Sequence, residues 1–182
     1  MENKKIHLHD KDFRPFIPNQ RIESAIDAVA ARINADYDGK DCVPVLLCVL
    51  NGSILFTAEL MKRLDFDLDL MSIKLSSYAG TSSTGAVRTE MGLTGDVSGK
   101  EVIIVEDIVD TGRTIEALVD LLKEKGASRV KVCTLLLKPE MYKKSVQLDY
   151  VGMEIPDDFI VGFGLDYDGL GRNIKDIYVL DK

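Results

Sequence analysis

Apolar positions along the chain follow two periods, and the way these alternate predicts a layered α/β protein. Ile22, Ile26, Val29 and Ile33 recur at helical spacing, giving an amphipathic helix with Asn19 as a possible N-cap. Pro44-Val45-Leu46-Leu47-Cys48-Val49-Leu50 is continuously apolar, as a strand covered on both faces must be. Asn51-Gly52-Ser53 interrupts that run and residues 54–64 return to a helical pattern, so strand, tight turn and helix begin a β-α-β unit. A further strand is expected over 68–75, where the alternation changes phase at Leu70-Met71. Glu101-Val102-Ile103-Ile104-Val105 and residues 130–137 predict two more buried strands. Between them Ile115, Leu118, Val119 and Leu122 share one face of a helix over 114–125, which Gly126 stops. Shorter strands are expected at 150–153, 160–163 and 177–180.

Strands alternating with helices imply an α/β fold with a central, largely parallel sheet flanked by helices. In such sheets ligands bind beyond the carboxyl ends of the strands. The residues just after Leu50, Val105 and Leu137 should therefore line one crevice. With 182 residues the chain is expected to form a single domain over 1–182. Gly, Ser and Thr concentrate in residues 76–94, which predicts a flexible lid, because the stretch from Ser76 to Arg88 has little apolar surface to offset its ordering entropy.

Composition narrows the partners. A net charge of −7 leaves no overall basic field to attract a nucleic-acid backbone, so a small-molecule partner is the expectation. No apolar run reaches the ~18 residues of a membrane span, and the two lysines near the N-terminus precede no apolar block. Cys42, Cys48 and Cys133 form no C-x-x-C pair and sit among Val and Leu, which reads as small buried thiols in a reducing, cytoplasmic setting. His7-Leu8-His9 could present two imidazoles on one side of a strand, but no third ligand is suitably spaced, so a terminal tail or edge strand is expected there. Lys123-Glu124-Lys125 and Lys143-Lys144 read as solvated surface charge.

The strongest chemical signal follows the strand at Val102: Glu106-Asp107-Ile108-Val109-Asp110-Thr111-Gly112-Arg113-Thr114. Two adjacent acids cap a buried strand, and a D-T-G-R-T turn opens a helix. Amides at a helix N-terminus, two Thr hydroxyls and a Gly permitting close approach suit a phosphate group. Glu106 and Asp107 would then face the vicinal hydroxyls of a sugar, and acids beside a phosphate site also suit Mg²⁺. The alternative is an ordinary strand–turn–helix corner with Asp110 or Thr111 as its cap.

This segment resembles the phosphoribosyl pyrophosphate motif of type I phosphoribosyltransferases. From about Val45 to the C-terminus the chain is similar to the hypoxanthine(-guanine) branch of that family. Leu50-Asn51-Gly52, Ser77-Tyr78, the motif itself, Leu137-Lys138, Glu154-Ile155-Pro156-Asp157-Asp158-Phe159, Gly164-Leu165-Asp166-Tyr167 and Arg172-Asn173 occur in the family's order. The resemblance implies transfer of ribose 5-phosphate from phosphoribosyl pyrophosphate to a 6-oxopurine, hypoxanthine and guanine among them. The products would be a purine nucleoside monophosphate and pyrophosphate, with Mg²⁺ as cofactor. It also implies a small hood, built from the N- and C-terminal segments, over the C-terminal strand ends, and a homodimer or homotetramer.

Carried over residue by residue, the resemblance assigns Asp110, Thr111, Gly112, Arg113 and Thr114 to the 5-phosphate and Glu106 and Asp107 to the ribose hydroxyls. Asp110 is also the candidate acid/base near N7 of the purine, with structural capping as its other reading. Leu50, Asn51 and Gly52 correspond to the pyrophosphate loop, whose first peptide is often cis in the family. Ser77, Tyr78 and Arg172 complete the pyrophosphate contacts. Lys138 would donate to the 6-oxo group, Phe159 would stack on the base and the main chain at Ile160 would read its edge. Asp166 would lie beside the base and reach the metal, for which Glu106 and Asp107 are the other candidate ligands. Taken alone, Lys138 would be a surface lysine and Phe159 a core residue. Two positions depart from the family: Asn51 stands where many relatives carry Lys, which removes a cation near the pyrophosphate, and Asp158 stands where some do, which changes the potential near the base. A phosphoribosyl-pyrophosphate-sensing regulator of nucleic acid is the alternative from another class, though no basic surface or added module is evident.

Overall fold

Where successive apolar residues must cover both faces of a sheet, their side chains divide between two layers, and the chain does this in a regular way. In the computed structural model, which describes residues 4–77 and 87–181, β3 (Val45–Leu50) sends Val45, Leu47 and Val49 to one layer and Leu46 to the other. β6 (Glu101–Val109) does the same with Val102 and Ile104 against Ile103 and Val105. The first layer packs on α3 (Arg113–Glu124) through Ile115, Leu118, Val119 and Leu122. The second packs on α1 (Asn19–Tyr37) and α2 (Ile54–Met61), where Ile22, Ile26, Ile33, Phe56 and Leu60 are fully buried. Each such side chain contributes about 1.5–3 kcal/mol by leaving water.

The main sheet has the order β5-β4-β3-β6-β7-β8, with β4 at Asp69–Ser77, β5 at Val87–Met91, β7 at Arg129–Leu137 and β8 at Tyr150–Glu154. Strands β4, β3, β6, β7 and β8 are parallel, and β5 runs antiparallel along β4. A second, four-stranded sheet of order β1-β2-β10-β9 unites β1 (Ile6–Leu8) and β2 (Lys11–Ile17) with β9 (Ile160–Val161) and β10 (Ile177–Leu180). It is the expected hood of N- and C-terminal segments. Its inner residues Ile17, Ile160, Ile177 and Val179 belong to the same apolar cluster as α1 and α2.

Several sequence expectations need correction. Asn19 is the first helical residue and caps nothing; Pro18 holds the N-cap position, and the Asn19 amide donates to Asp176 Oδ1 at 2.7 Å. The strand carrying Glu106 and Asp107 does not end at Val105, because β7 continues alongside and supplies ladder partners through Val109↔Leu137. Cys42 is exposed, while Cys48 and Cys133 are buried as expected. Within the expected lid, residues 87–91 form β5, residues 78–86 lie outside the described residues, and Ser77 ends β4. His7 lies on edge strand β1 and pairs with Asp12 at 2.8 Å. No helix among the described residues is long and apolar enough to cross a membrane.

At the edge of the main sheet remote from the strand C-termini, Lys131 is buried in the layer facing α1, with 4% exposure. Its Nζ donates to Asp36 Oδ2 and to the Tyr150 hydroxyl, each at 2.6 Å, and that hydroxyl donates to Asp36 Oδ2 at 2.6 Å. These donors, Lys131 first and Tyr150 second, hold the Asp36 carboxyl below its ordinary pKa. A depressed folded-state pKa contributes stability above the unfolded value of ~3.9 and loses it as pH falls through the lower folded value. Asp36→Asn should therefore cost about 1–2 kcal/mol at pH 7, discounted because Asp36 is half exposed. Urea unfolding at pH 7 and at pH 3 checks this, with the gap between variant and parent shrinking at the lower pH.

Candidate active site at the C-terminal strand ends

Three strand ends bring the candidate residues together. β3 leads into Leu50-Asn51-Gly52, whose first peptide is cis, as the resemblance implies. β6 leads into Asp110-Thr111-Gly112 and then α3, whose N-terminus has no side-chain cap. Its first amides therefore have no intrahelical acceptor and point toward any anion placed there. Tyr142 backs this turn so closely that a Cβ on Gly112 would come within 2.4 Å of its ring. Lys144, expected to be solvated, instead pairs with Glu116 in the first turn of α3 at 2.6 Å and packs beside Gly112.

β7 delivers Lys138, whose amide donates to the Val109 carbonyl at 2.9 Å. That bond sets Lys138 directly beside Asp110. The ammonium is 3.6 Å from Asp110 Oδ2 and 2.7 Å from Asp157 Oδ1, in a side chain that is nearly buried. Asp110 Oδ1 is buried without a hydrogen-bond partner, an atom placed to receive one.

Glu106 and Asp107 lie one strand-width from the cis loop. Burial, and then the neighbouring charge of Asp107, push the Glu106 carboxyl well above its ordinary pKa. Burial also raises Asp107, partly offset by the Ile108 amide at 2.9 Å and the positive charge of Arg172. Glu106 Oε2 has no partner. Two adjacent, partly desolvated acids of this kind suit sugar hydroxyls or a cation.

Gly52 and Gly164 join the loop to the hood. A Cβ on Gly52 would fall 1.7 Å from Asp107 Oδ2, and one on Gly164 would fall 2.0 Å from the Gly52 carbonyl. Arg172 then braces Gly164: Nη1 donates to its carbonyl at 2.6 Å, and the Gly164 amide donates back to the Arg172 carbonyl at 3.0 Å. Arg172 Nη2 also meets Asp166 Oδ1 at 2.7 Å, while Asp166 Oδ2 accepts from the Gly169 amide at 2.7 Å. Both Asp166 oxygens are thus engaged. Among the described residues no three His, Cys, Asp or Glu side chains converge on one point. Any ion held here would need oxygens from a ligand as well, the usual arrangement for Mg²⁺.

Phe159 is exposed at the mouth of the crevice, edge-on to Tyr167 with centroids 5.7 Å apart and 6.1 Å from Phe13. It is not core. Ile160 is buried in β9 and Thr111, Arg113 and Thr114 follow Asp110 around the helix N-terminus. Tyr78 lies outside the described residues. Sequence reasoning gave no role to Asp157 or Gly164, although both stand in the quoted motif segments; for Asp157 the burial of Lys138 that gives it meaning is visible only in the fold.

Comparison with known proteins follows the same lines. The model of the phosphoribosyl transferase domain matches residues 17–168. Hypoxanthine-guanine phosphoribosyltransferase of Streptococcus pneumoniae is 41% identical over 165 residues, covering 90% of this chain and 91% of that protein. The crystal structure of a hypoxanthine phosphoribosyltransferase from Staphylococcus aureus superposes with a TM-score of 0.85 at 36% identity, covering 92% of this chain and 90% of the other. The Trypanosoma cruzi hypoxanthine phosphoribosyl transferase gives a TM-score of 0.87 at 34% identity over 97% and 95% of the two chains. None of these relatives is named as a regulator of nucleic acid.

Gly164 offers a structural test that needs no substrate. Gly164 and Gly39 both have positive φ, 98° and 68°, but only Gly164 has a backbone atom in the way of a side chain. Gly164→Ala should cost at least about 2 kcal/mol more than Gly39→Ala. That corresponds to a Tm lower by roughly 4–8 °C in a thermal melt of a chain this size.

Proposed function

The chain belongs to the phosphoribosyl transferase family, in its hypoxanthine-guanine branch, and on that premise we propose how its residues divide the work of purine salvage. The enzyme joins ribose 5-phosphate from phosphoribosyl pyrophosphate to a 6-oxopurine, with hypoxanthine and guanine as the bases we propose. A ring nitrogen of the base forms a bond to the anomeric carbon, the bond from that carbon to the pyrophosphate oxygen breaks, and pyrophosphate leaves. The ribose becomes oxocarbenium-like between these events, so positioning and charge complementarity carry the catalysis.

The amides and hydroxyls of Thr111, Gly112, Arg113 and Thr114 hold the 5-phosphate at the open N-terminus of α3. Glu106 and Asp107 accept from the ribose hydroxyls. Leu50, Asn51, Gly52 and Arg172 contact the pyrophosphate, with Ser77 and Tyr78 assigned to the same group. Lys138 donates to the 6-oxo oxygen, Phe159 stacks on the base, and the main chain at Ile160 together with Asp166 meets its far edge. Asp110 holds or moves the proton at N7 as the new bond forms. Mg²⁺, when bound, would supply positive charge at the pyrophosphate oxygens, with Glu106, Asp107 and Asp166 as the carboxylates available to it. The buried, unpartnered Glu106 Oε2 fits that assignment.

The observation that carries the reading is the placing of Lys138 within 3.6 Å of Asp110, next to the uncapped helix N-terminus. A donor-only cation beside a carboxylate suits a base with an adjacent carbonyl and ring nitrogen. We take residues 1–182 as one catalytic domain, because hood and sheet share an apolar cluster, and place its activity in the cytoplasm as the setting of purine salvage. A homodimer or homotetramer is the expected assembly, with Val43, Ile54 and Leu70 as exposed apolar surface for a second copy.

Turnover with hypoxanthine, guanine, xanthine, adenine and uracil tests the substrate class, and a chelator titration tests the metal. The 6-oxopurines should react and adenine and uracil should not. Asp110→Asn should lower kcat by ~10²-fold or more while the KM for phosphoribosyl pyrophosphate changes much less. Near-normal turnover of that variant would leave Asp110 only a structural part.

A further inference from the structure

Lys138 has two carboxylates within reach, and the closer one is not the candidate acid/base. Asp157 Oδ1 lies 2.7 Å from the ammonium, against 3.6 Å for Asp110 Oδ2. The segment carrying Asp157 is tied to the strand that carries Lys138: the Ile155 amide donates to the Leu137 carbonyl at 2.9 Å. The Asp158 amide donates to the Pro156 carbonyl at 2.8 Å and closes the turn around Asp157. The Asp157 carboxylate is thus anchored relative to Lys138, whereas Asp110 belongs to the neighbouring turn between β6 and α3.

An ammonium has three donors and no acceptor, and in a nearly buried side chain it closes on the nearest anion. We propose that Asp157 is the positioning residue for Lys138: it draws the ammonium away from Asp110 and aims a remaining N–H at the 6-oxo group of the base. Asp110 then keeps a carboxylate oxygen free for the proton at N7, which agrees with its unpartnered, buried Oδ1. Without Asp157, the ammonium's nearest counter-charge is Asp110. Lys138 closes on it, the base loses its donor and the proton acceptor is occupied. The inference rests on the reading of Lys138 as the base-recognising group.

Steady-state kinetics of Asp157→Asn, Asp157→Glu, Lys138→Gln and the double variant Asp157→Asn/Lys138→Gln test it, varying hypoxanthine and phosphoribosyl pyrophosphate separately. Asp157→Asn should raise the KM for hypoxanthine about 10-fold or more, the scale of one lost charge-assisted hydrogen bond, and leave that for phosphoribosyl pyrophosphate within about twofold. Asp157→Glu should recover much of the loss. In the Lys138→Gln background, Asp157→Asn should have no further effect, because its only route is through the ammonium. Additive losses in the double variant, or unchanged hypoxanthine kinetics in Asp157→Asn, would overturn the proposal. Normal hypoxanthine kinetics in Lys138→Gln would instead remove the reading of Lys138 itself. The double variant removes the Lys138–Asp157 charge pair as a whole, so it also separates kinetic loss from the cost of leaving one partner of that pair alone.

Discussion

The site depends on one constraint: β3, β6 and β7 run parallel with both faces covered. A strand buried on both sides has nowhere to send a polar side chain except its ends, where amides and charges can meet a ligand without crossing an apolar layer. Lys131 departs from that rule and needs both Asp36 and Tyr150 to do so. The same pairing sets the depth of the acids. β6 continues past its apolar run because β7 supplies partners through Ile108↔Leu136 and Val109↔Leu137. Glu106 and Asp107 therefore stand in a ladder and not on a loop. Their backbone is held in place, at the cost of the desolvation that raises their proton affinity.

A second constraint is the lack of space along Asp107, Gly52, Gly164 and Arg172. Neither glycine has room for a methyl group on the side facing its neighbour. The acids of the main sheet and the Arg172–Asp166 pair beneath the hood are thus joined by direct backbone contact, with no flexible side chain between them. Displacement at one end must be felt at the other, since packed backbone compresses little.

Much of this was legible in the sequence because periodicity reports burial directly. The strands at Val45 and Glu101, the helix carrying Ile115 and Leu118, and the hood strand Ile177–Leu180 all followed from it. What escaped was set by partners distant along the chain. Asn19 looks like a cap, yet its amide is satisfied by Asp176, 157 residues away. Lys144 looks solvated until Glu116, 28 residues earlier, is brought beside it. Asp157 has no local pattern at all; its position has meaning only once Lys138, 19 residues before it, is seen to be buried. Strand β5 was hidden for a different reason: it pairs with the strand just before it, but it follows a Gly/Ser/Thr-rich stretch and Thr89 and Glu90 resemble loop composition.

The charge balance of the crevice explains why backbone dipoles matter so much here. The chain carries a net −7, and of the three cations among the candidate site residues two are already committed, Lys138 to Asp157 and Asp110, Arg172 to Asp166, which leaves Arg113 at the start of α3. Asn51 adds no charge to the loop after β3. A polyanion entering such a site gains little from fixed cations. Amides at the N-terminus of α3 and in the cis loop can still attract it, and they impose no uncompensated charge when it departs. The buried acids press the same way. Burial raises both Glu106 and Asp107, and Asp107 is offset by the Ile108 amide and by the positive charge of Arg172. Under the proposed reading, a cation that arrives with the pyrophosphate and leaves with it would offset that ligand's charge beside these acids. On the same reading, the few uncommitted cations of this site favour a ligand that enters with its counter-ion.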